Sequence, residues 1–351
     1  MGLTPTFLLL HKALQDMTAV LNIVELPVAI GAKPDVLGTR SSVIIGEHRG
    51  ELCVPALGEA SYRRAFAELH PPRVAGVGNL IRVFNHGARD PFEEVQWGMP
   101  TVWSGGRSEV RLAHISALVL RTFVDDPPIR ETAQRVGEEI MQSFNPWFAQ
   151  FLTWIEVLTA QDLDVTSPYH SWRNEGLGLT HPWVIAEGRG LTYTYVNRPV
   201  IGVMPSEETG VSKAQWKRSV GAANATLEVP GPHLLMRDAR AALARSDYRR
   251  AVIDTGTAVE LTLSELLEER LSQGLDGSVV DEILSRVRNF GDRQRLARRL
   301  GIKLPDDLYK LVAEPRNDVL HRNQTPSRGA TRAAIGAGGA VVRKHLPLPR
   351  P

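Results

Sequence analysis

Residues 305–323, in the C-terminal part of the chain, read PDDLYKLVAEPRNDVLHRN. Its apolar residues recur at helical spacing, which predicts a helix with one buried stripe. They are Leu308, Leu311, Val312, Pro315 and Val319. At about 100° per residue, Asn317 and His321 fall on the face away from that stripe, and Arg316 lies on its flank. Because Pro315 lacks a backbone donor, we expect the helix to kink or restart there.

Three polar side chains on this helix carry complementary chemistry. A guanidinium can hold two phosphate oxygens, an amide can orient a neighbouring group, and an imidazole can move a proton near neutral pH. Arg316, Asn317 and His321 are therefore candidate catalytic residues. A purely structural interpretation is also open, in which Arg316 bridges Glu314 or Asp318, Asn317 caps a helix end and His321 is a cation favoured at a helix C-terminus.

Charge is distributed unevenly along the 351 residues. Residues 1–229 contain 20 basic and 24 acidic side chains, a net charge of −4, whereas residues 230–351 contain 21 basic and 15 acidic ones, a net charge of +6. A basic C-terminal part that presents an arginine and a histidine suits a polyanion better than a neutral metabolite. Arginine is also ordinary on the solvated face of a helix, so charge alone leaves both interpretations open.

Strand signals stop at Leu234, and the remainder of the chain predicts helices joined by short turns, typical of an antiparallel bundle. The predicted helices span 234–246, 248–273 with Asp247 as N-cap, 279–300 with a break at 289–291, the stretch quoted above, and 330–345.

The arginine, the polar residue after it and the histidine five positions after the arginine resemble the signature of the HEPN superfamily. An earlier helix of that family carries an alanine, alanine, glutamate pattern followed by leucines, and the present chain has Ala251, Ala258 and Glu260 in the equivalent order. The leucines that follow are Leu261, Leu263, Leu266 and Leu267. The resemblance covers roughly residues 234–345.

Membership of this family implies an α-helical bundle that forms a homodimer and cleaves RNA without a metal or cofactor. Arg316, Asn317 and His321 would then be catalytic, and Glu260 would orient Arg316 or His321. Two copies of the motif would face each other, because one chain supplies a single copy of the motif histidine while the reaction needs an acid and a base. RNA provides its own nucleophile, the 2′-hydroxyl, so the products would be a 2′,3′-cyclic phosphate and a 5′-hydroxyl. The family further suggests a role in defence or stress response, for example as a toxin.

The N-terminal part predicts mixed α and β structure, so the fold class of the whole chain is α+β. Strands are expected at 20–30, 42–45, 52–57, 74–84 and 110–123, with a hairpin over 182–186 and 191–204. A long helical stretch over 129–163 should break at Asn145-Pro146. We assign residues 1–225 to this domain, 226–233 to a linker around Pro230-Gly231-Pro232, and 234–351 to the helical bundle. The first domain contains no catalytic motif and is expected to bind a protein partner, recognise a target or restrain the activity.

Several classes of protein are disfavoured. Cys53, the single cysteine, lies among apolar residues, which indicates a core residue and makes a disulfide or a cysteine-based zinc site implausible. No apolar run approaches the roughly 20 residues of a membrane span, and no secretory signal is evident, so we expect a cytoplasmic protein. The main alternative to a ribonuclease is a non-catalytic HEPN-like module that binds RNA or dimerises while the N-terminal domain binds a protein.

Overall fold

The computed structural model describes residues 18–58, 69–72, 95, 97–104, 108–124, 130–163, 185–186 and 209–351. The chain divides into two compact units, Met1–Leu227 with Pro351, and Glu228–Arg350. The first unit contains an antiparallel sheet, and the described elements of the second are helices. The predicted α+β class is therefore confirmed.

The sheet of the first unit is built around one long strand. Its strands are β1 (Thr18–Ala32), β2 (Arg40–Ile45), β3 (His48–Cys53), β4 (Ala56–Leu57), β5 (Leu69–His70), β6 (Gly98–Ser104), β7 (Ser108–Val124) and β8 (Ile185–Ala186). Strand β7 pairs with β1 along one edge and with β3 and β6 along the other, all antiparallel. Strands β4 and β5 form a separate pair.

Most of the predicted strands that can be compared are present. The expected strands at 20–30, 42–45 and 110–123 lie within β1, β2 and β7. The expected strand at 52–57 is instead split between the end of β3 and β4. The expected strand at 74–84 lies outside the described residues, and so does the predicted hairpin except for β8.

The predicted break at Pro146 is wrong, because helix α1 (Arg130–Thr159) runs through it. Proline removes the hydrogen bond to the carbonyl four residues earlier, which here belongs to Gln142. Both Pro146 and Gln142 are exposed, so water can satisfy that carbonyl. Buried aromatic rings on both sides of the proline, Phe144 and Phe148, pack into the core and hold the helix together.

Tryptophans anchor the core of the first unit. Trp97, Trp147, Trp154 and Trp216 are buried. The Trp216 ring, on helix α2 (Lys213–Asn224), meets Phe151 of α1 edge-on at 5.0 Å between centroids. Burial of such rings is the largest apolar contribution that a single side chain makes to a core.

Cys53 is a core residue, and its burial predicts an unreactive thiol. Its side chain is 0% exposed, and this burial raises its pKa to about 12, so little thiolate forms at neutral pH. We expect a thiol reagent to leave the native protein unmodified and to label Cys53 once denaturant unfolds the sheet. Labelling of the native protein at the rate of the unfolded chain would contradict this placement.

The second unit is a set of helices packed on one long central helix. The helices are α3 (Gly231–Ala244), α4 (Tyr248–Ser272), α5 (Gly277–Arg286), α6 (Phe290–Arg299), α7 (Glu314–Arg322) and α8 (Arg328–His345). Helix α4 contacts each of the others. Its apolar residues Val259, Leu263 and Leu267 are fully buried among side chains of the helices around it. Among helices of the described residues, none combines the length and the apolarity needed to cross a membrane.

The first helix of this unit begins earlier than the sequence predicted. Pro230-Gly231-Pro232, predicted as a linker, forms the start of α3, because proline is well accommodated in the first turn of a helix. On the same helix Ala244 is exposed, whereas Ala242 is buried. The break predicted at 289–291 is confirmed, since Asn289 caps α6 through its side chain.

Candidate functional site

The stretch at 305–323 folds as a helix that contains one wide π turn. The turn spans Tyr309–Ala313, where the Glu314 amide donates to the Tyr309 carbonyl five residues earlier, and α7 follows directly. Pro315 explains the position of the turn, because its ring would clash with the carbonyl four residues before it in a regular α-helix. The expected kink or restart at Pro315 is thus a π turn, a feature that often marks functional positions.

The π turn changes which side chains share a face of the helix. In an uninterrupted α-helix, Asn317 and His321 would lie about 80° and 120° around the axis from Tyr309. One extra residue in the wide turn brings both of them to within about 20° of the Tyr309 direction. Accordingly, Tyr309 and His321 are exposed and Asn317 is half-buried. The predicted buried stripe is confirmed at Leu308, Val312 and Val319.

Arg316 leaves this face and points towards α4. Its Nη2 donates to Glu260 Oε2 at 2.8 Å, and the two side chains are only 21% and 15% exposed. A charge-assisted bond of this kind, shielded from most of the solvent, fixes the guanidinium more firmly than a surface ion pair would. Arg316 Nε is buried and makes no hydrogen bond with any described residue. The guanidinium therefore has an unused N–H donor in addition to the Nη2 group that binds Glu260.

Gly256 makes room for the arginine. A Cβ at this position of α4 would lie 2.6 Å from Cδ of Arg316 and 3.2 Å from its Cγ, too close for a side chain. The arginine stem therefore lies directly against the α4 backbone, one turn before Glu260 on the same helix. Packing explains the pattern of Ala251, Ala258 and Glu260 in the sequence. The two alanines of α4 are buried, and its glutamate binds Arg316.

A pocket of about 870 Å³ brings the candidate residues together. Glu260, Arg316, Asn317 and His321 all border it. This volume is in the range of sites that bind small molecules and cofactors. Arg316 pairs with Glu260, and Asp318 pairs with Arg322 of its own helix. The structural interpretation, in which Arg316 bridges Glu314 or Asp318, therefore does not hold for this arginine.

One wall of the pocket is strongly basic and was not recognised from the sequence as part of the site. The arginines on this wall are Arg288, Arg293, Arg295 and Arg298. They belong to α6 and the segment before it, which the sequence presents only as a basic helix. The acidic residues that border the pocket are Glu260 and Asp306, so the lining carries a net positive charge. Such a surface attracts polyanions at long range and binds phosphate at short range.

The arginines of this wall differ in how they are engaged. Arg295 pairs with Asp292, and Arg298 Nη2 donates to the Pro305 carbonyl at 2.8 Å. The Arg293 side chain makes no hydrogen bond or ion pair with any residue that the structure describes. Since a paired guanidinium still has unused donors, the wall can contact an anion without losing its own bonds.

Comparison with known proteins gives no match. No family model, no curated protein and no solved structure matches the chain. Within the described residues there is also no group of three or more His, Cys, Asp or Glu side chains placed to hold a metal ion.

Proposed function

We propose that the chain is a metal-independent endoribonuclease whose active centre is the pocket around Arg316 and His321. The observation that carries this proposal is the pocket itself. It joins an arginine fixed by Glu260, an exposed histidine and a basic wall. These groups suit the cleavage of RNA by attack of its own 2′-hydroxyl on the neighbouring phosphodiester.

Each side chain has a role that its position supports. His321 is exposed and can take or give a proton, as a general base towards the 2′-hydroxyl or a general acid towards the leaving oxygen. Arg316 is held in place by Glu260 and can stabilise the charge that develops at phosphorus. Asn317 lies beside it on the pocket wall and can orient the imidazole or a phosphate oxygen.

The active enzyme in this proposal is a homodimer. One chain offers a single His321, whereas transesterification needs a base at the 2′-hydroxyl and an acid at the leaving 5′-oxygen, on opposite sides of the phosphorus. The resemblance to HEPN domains suggests that a second copy of α7 supplies the other histidine. The first unit would then select the RNA target, bind a protein partner or restrain the activity, and we place the protein in the cytoplasm, in defence or stress response.

Purified protein incubated with total cellular RNA in the presence of a chelator tests the proposal. Cleavage should survive the chelator, because neither the arginine nor the histidine needs a metal to act. A chelator-sensitive activity, or no cleavage by a folded dimer, would contradict it.

A second candidate function is a non-catalytic module that binds RNA or dimerises. The basic wall favours it, because Arg288, Arg293 and Arg295 can hold a polyanion without any proton transfer. RNA binding that weakens steeply with salt, without cleavage and unchanged in His321→Ala, would support this second function and exclude the first.

A further inference from the structure

Tyr309 is an exposed aromatic ring on the wall of the pocket. Its residue surface is 44% exposed, whereas the other aromatic residue of the lining, Phe290, is 3% exposed. The Phe290 ring meets the Tyr309 ring edge-on at 6.3 Å between centroids and 70° between planes. Packing therefore holds the tyrosine from one side and leaves much of its surface open to a ligand.

The π turn places this ring in line with the catalytic candidates. Without the extra residue, Tyr309 would be rotated by about 80° to 120° from Asn317 and His321. With it, the three side chains follow one another along a single face and border the same pocket. A ligand group that contacts His321 can thus extend along the helix to the tyrosine.

A small gap separates the tyrosine from the basic wall. An atom at the Cβ position of Gly291 would lie 3.5 Å from Tyr309 Cε2 and 3.9 Å from Arg295 Nη1. The ring edge and the guanidinium therefore flank the same glycine. Arg293, which makes no hydrogen bond or ion pair among the described residues, borders the same pocket. An aromatic ring beside guanidinium groups is the combination that binds a nucleotide through its base and its phosphate.

The geometry points to a nucleotide subsite in which Tyr309 stacks on an unpaired base of the bound strand while Arg293 and Arg295 hold the neighbouring phosphates. The substrate is therefore single-stranded RNA, because a base inside a duplex has both faces covered by its neighbours. That the bound strand is RNA rests on the proposed function. The contacts of Tyr309, Arg293 and Arg295 with a base and phosphates rest on the geometry of the pocket wall alone.

Binding of a fluorescently labelled RNA oligonucleotide, followed by anisotropy, tests the subsite. The 2′-hydroxyls of the probe are methylated, so that it cannot be cleaved by the proposed reaction. Tyr309→Leu keeps an apolar side chain against Phe290 but removes the ring, and we expect it to bind about 10-fold more weakly, as for the loss of one stacked base. Tyr309→Phe keeps the ring and should bind as tightly as the wild type. Leu320→Ala, at an exposed residue of the same helix away from the pocket, is the matched control and should also bind normally.

A second variant covers the case in which Tyr309→Leu fails to fold. Gly291→Ala meets no atom closer than 3.4 Å, and alanine is the better residue inside a helix, so the fold should be kept or stabilised. The added methyl narrows the gap between ring and guanidinium, and weaker binding is expected.

The results separate this inference from the proposed function. Equal binding by wild type, Tyr309→Leu and Gly291→Ala, equal binding of the probe in single-stranded and duplex form, or no binding at all would overturn the subsite, even if unmodified RNA is cleaved. Binding that depends on Tyr309, together with intact unmodified RNA, would sustain the subsite and overturn the nuclease.

Discussion

Replacing His321 with alanine is expected to lower the rate of RNA cleavage by about 100- to 10,000-fold, the range over which a positioned acid or base accelerates proton transfer. The loss should appear in the rate at saturating RNA, because the imidazole acts on protons in the transition state while the basic wall retains the substrate. Cleavage rates of a defined single-stranded RNA, measured in chelator, provide the test.

Stability provides the control for this variant. His321 is exposed in the last turn of α7, and substitutions at such positions change the free energy of unfolding by less than about 0.5 kcal/mol. Thermal unfolding of His321→Ala should therefore coincide with that of the wild type. Wild-type cleavage by the variant would remove His321 from the mechanism and leave the pocket as a binding site.

Gly256→Ala is expected to lower cleavage by about 10- to 100-fold, although Gly256 lies on α4 behind the pocket wall. The new methyl would overlap Cδ of Arg316 at 2.6 Å, so the arginine stem must move away from the α4 backbone. A displacement of about 1 Å at a catalytic group can reduce the rate 100-fold. The geometry of the bond to Glu260 should change with it, since the guanidinium is fixed from that side.

Gly336→Ala is the matched control for this prediction. Gly336 also lies inside a helix, α8, but a Cβ there meets no atom within 4 Å. Alanine at such a position stabilises a helix by up to about 1 kcal/mol, and we expect normal cleavage. If Gly256→Ala cleaves RNA as fast as Gly336→Ala, the position of Arg316 does not matter for the reaction.

Regular spacing accounts for the part of the fold that the sequence could predict. Apolar residues at helical intervals in 305–323 identified the buried stripe, and runs rich in Val, Ile and Thr bounded by Gly, Pro or Asp identified the long strands β1 and β7. The prediction failed where the packing of individual side chains outweighs a local sequence preference. Pro146 does not end α1, because Phe144 and Phe148 hold the helix on both sides of it.

The shape of the pocket could not be predicted from the sequence either, because it depends on a local change in helix winding and on how the helices pack. The position of Tyr309 depends on one extra residue in a π turn, and no periodicity of apolar residues reveals that insertion. The basic wall depends on how α6 packs against α4, so its arginines look like any solvated helix face in the sequence. The importance of Gly256 can be recognised only once Arg316 is known to lie against it.

The chemical nature of the cleaved ends is the most direct test of the account. RNA cleaved by the wild-type protein in chelator should end in a 2′,3′-cyclic phosphate on one fragment and a 5′-hydroxyl on the other, because the 2′-hydroxyl is the nucleophile. Enzymatic labelling distinguishes these ends without ambiguity: a 5′-hydroxyl accepts a phosphate directly, and a 5′-phosphate does not. Fragments that carry a 5′-phosphate would show that water attacked the phosphodiester, and would contradict the proposed chemistry of Arg316 and His321.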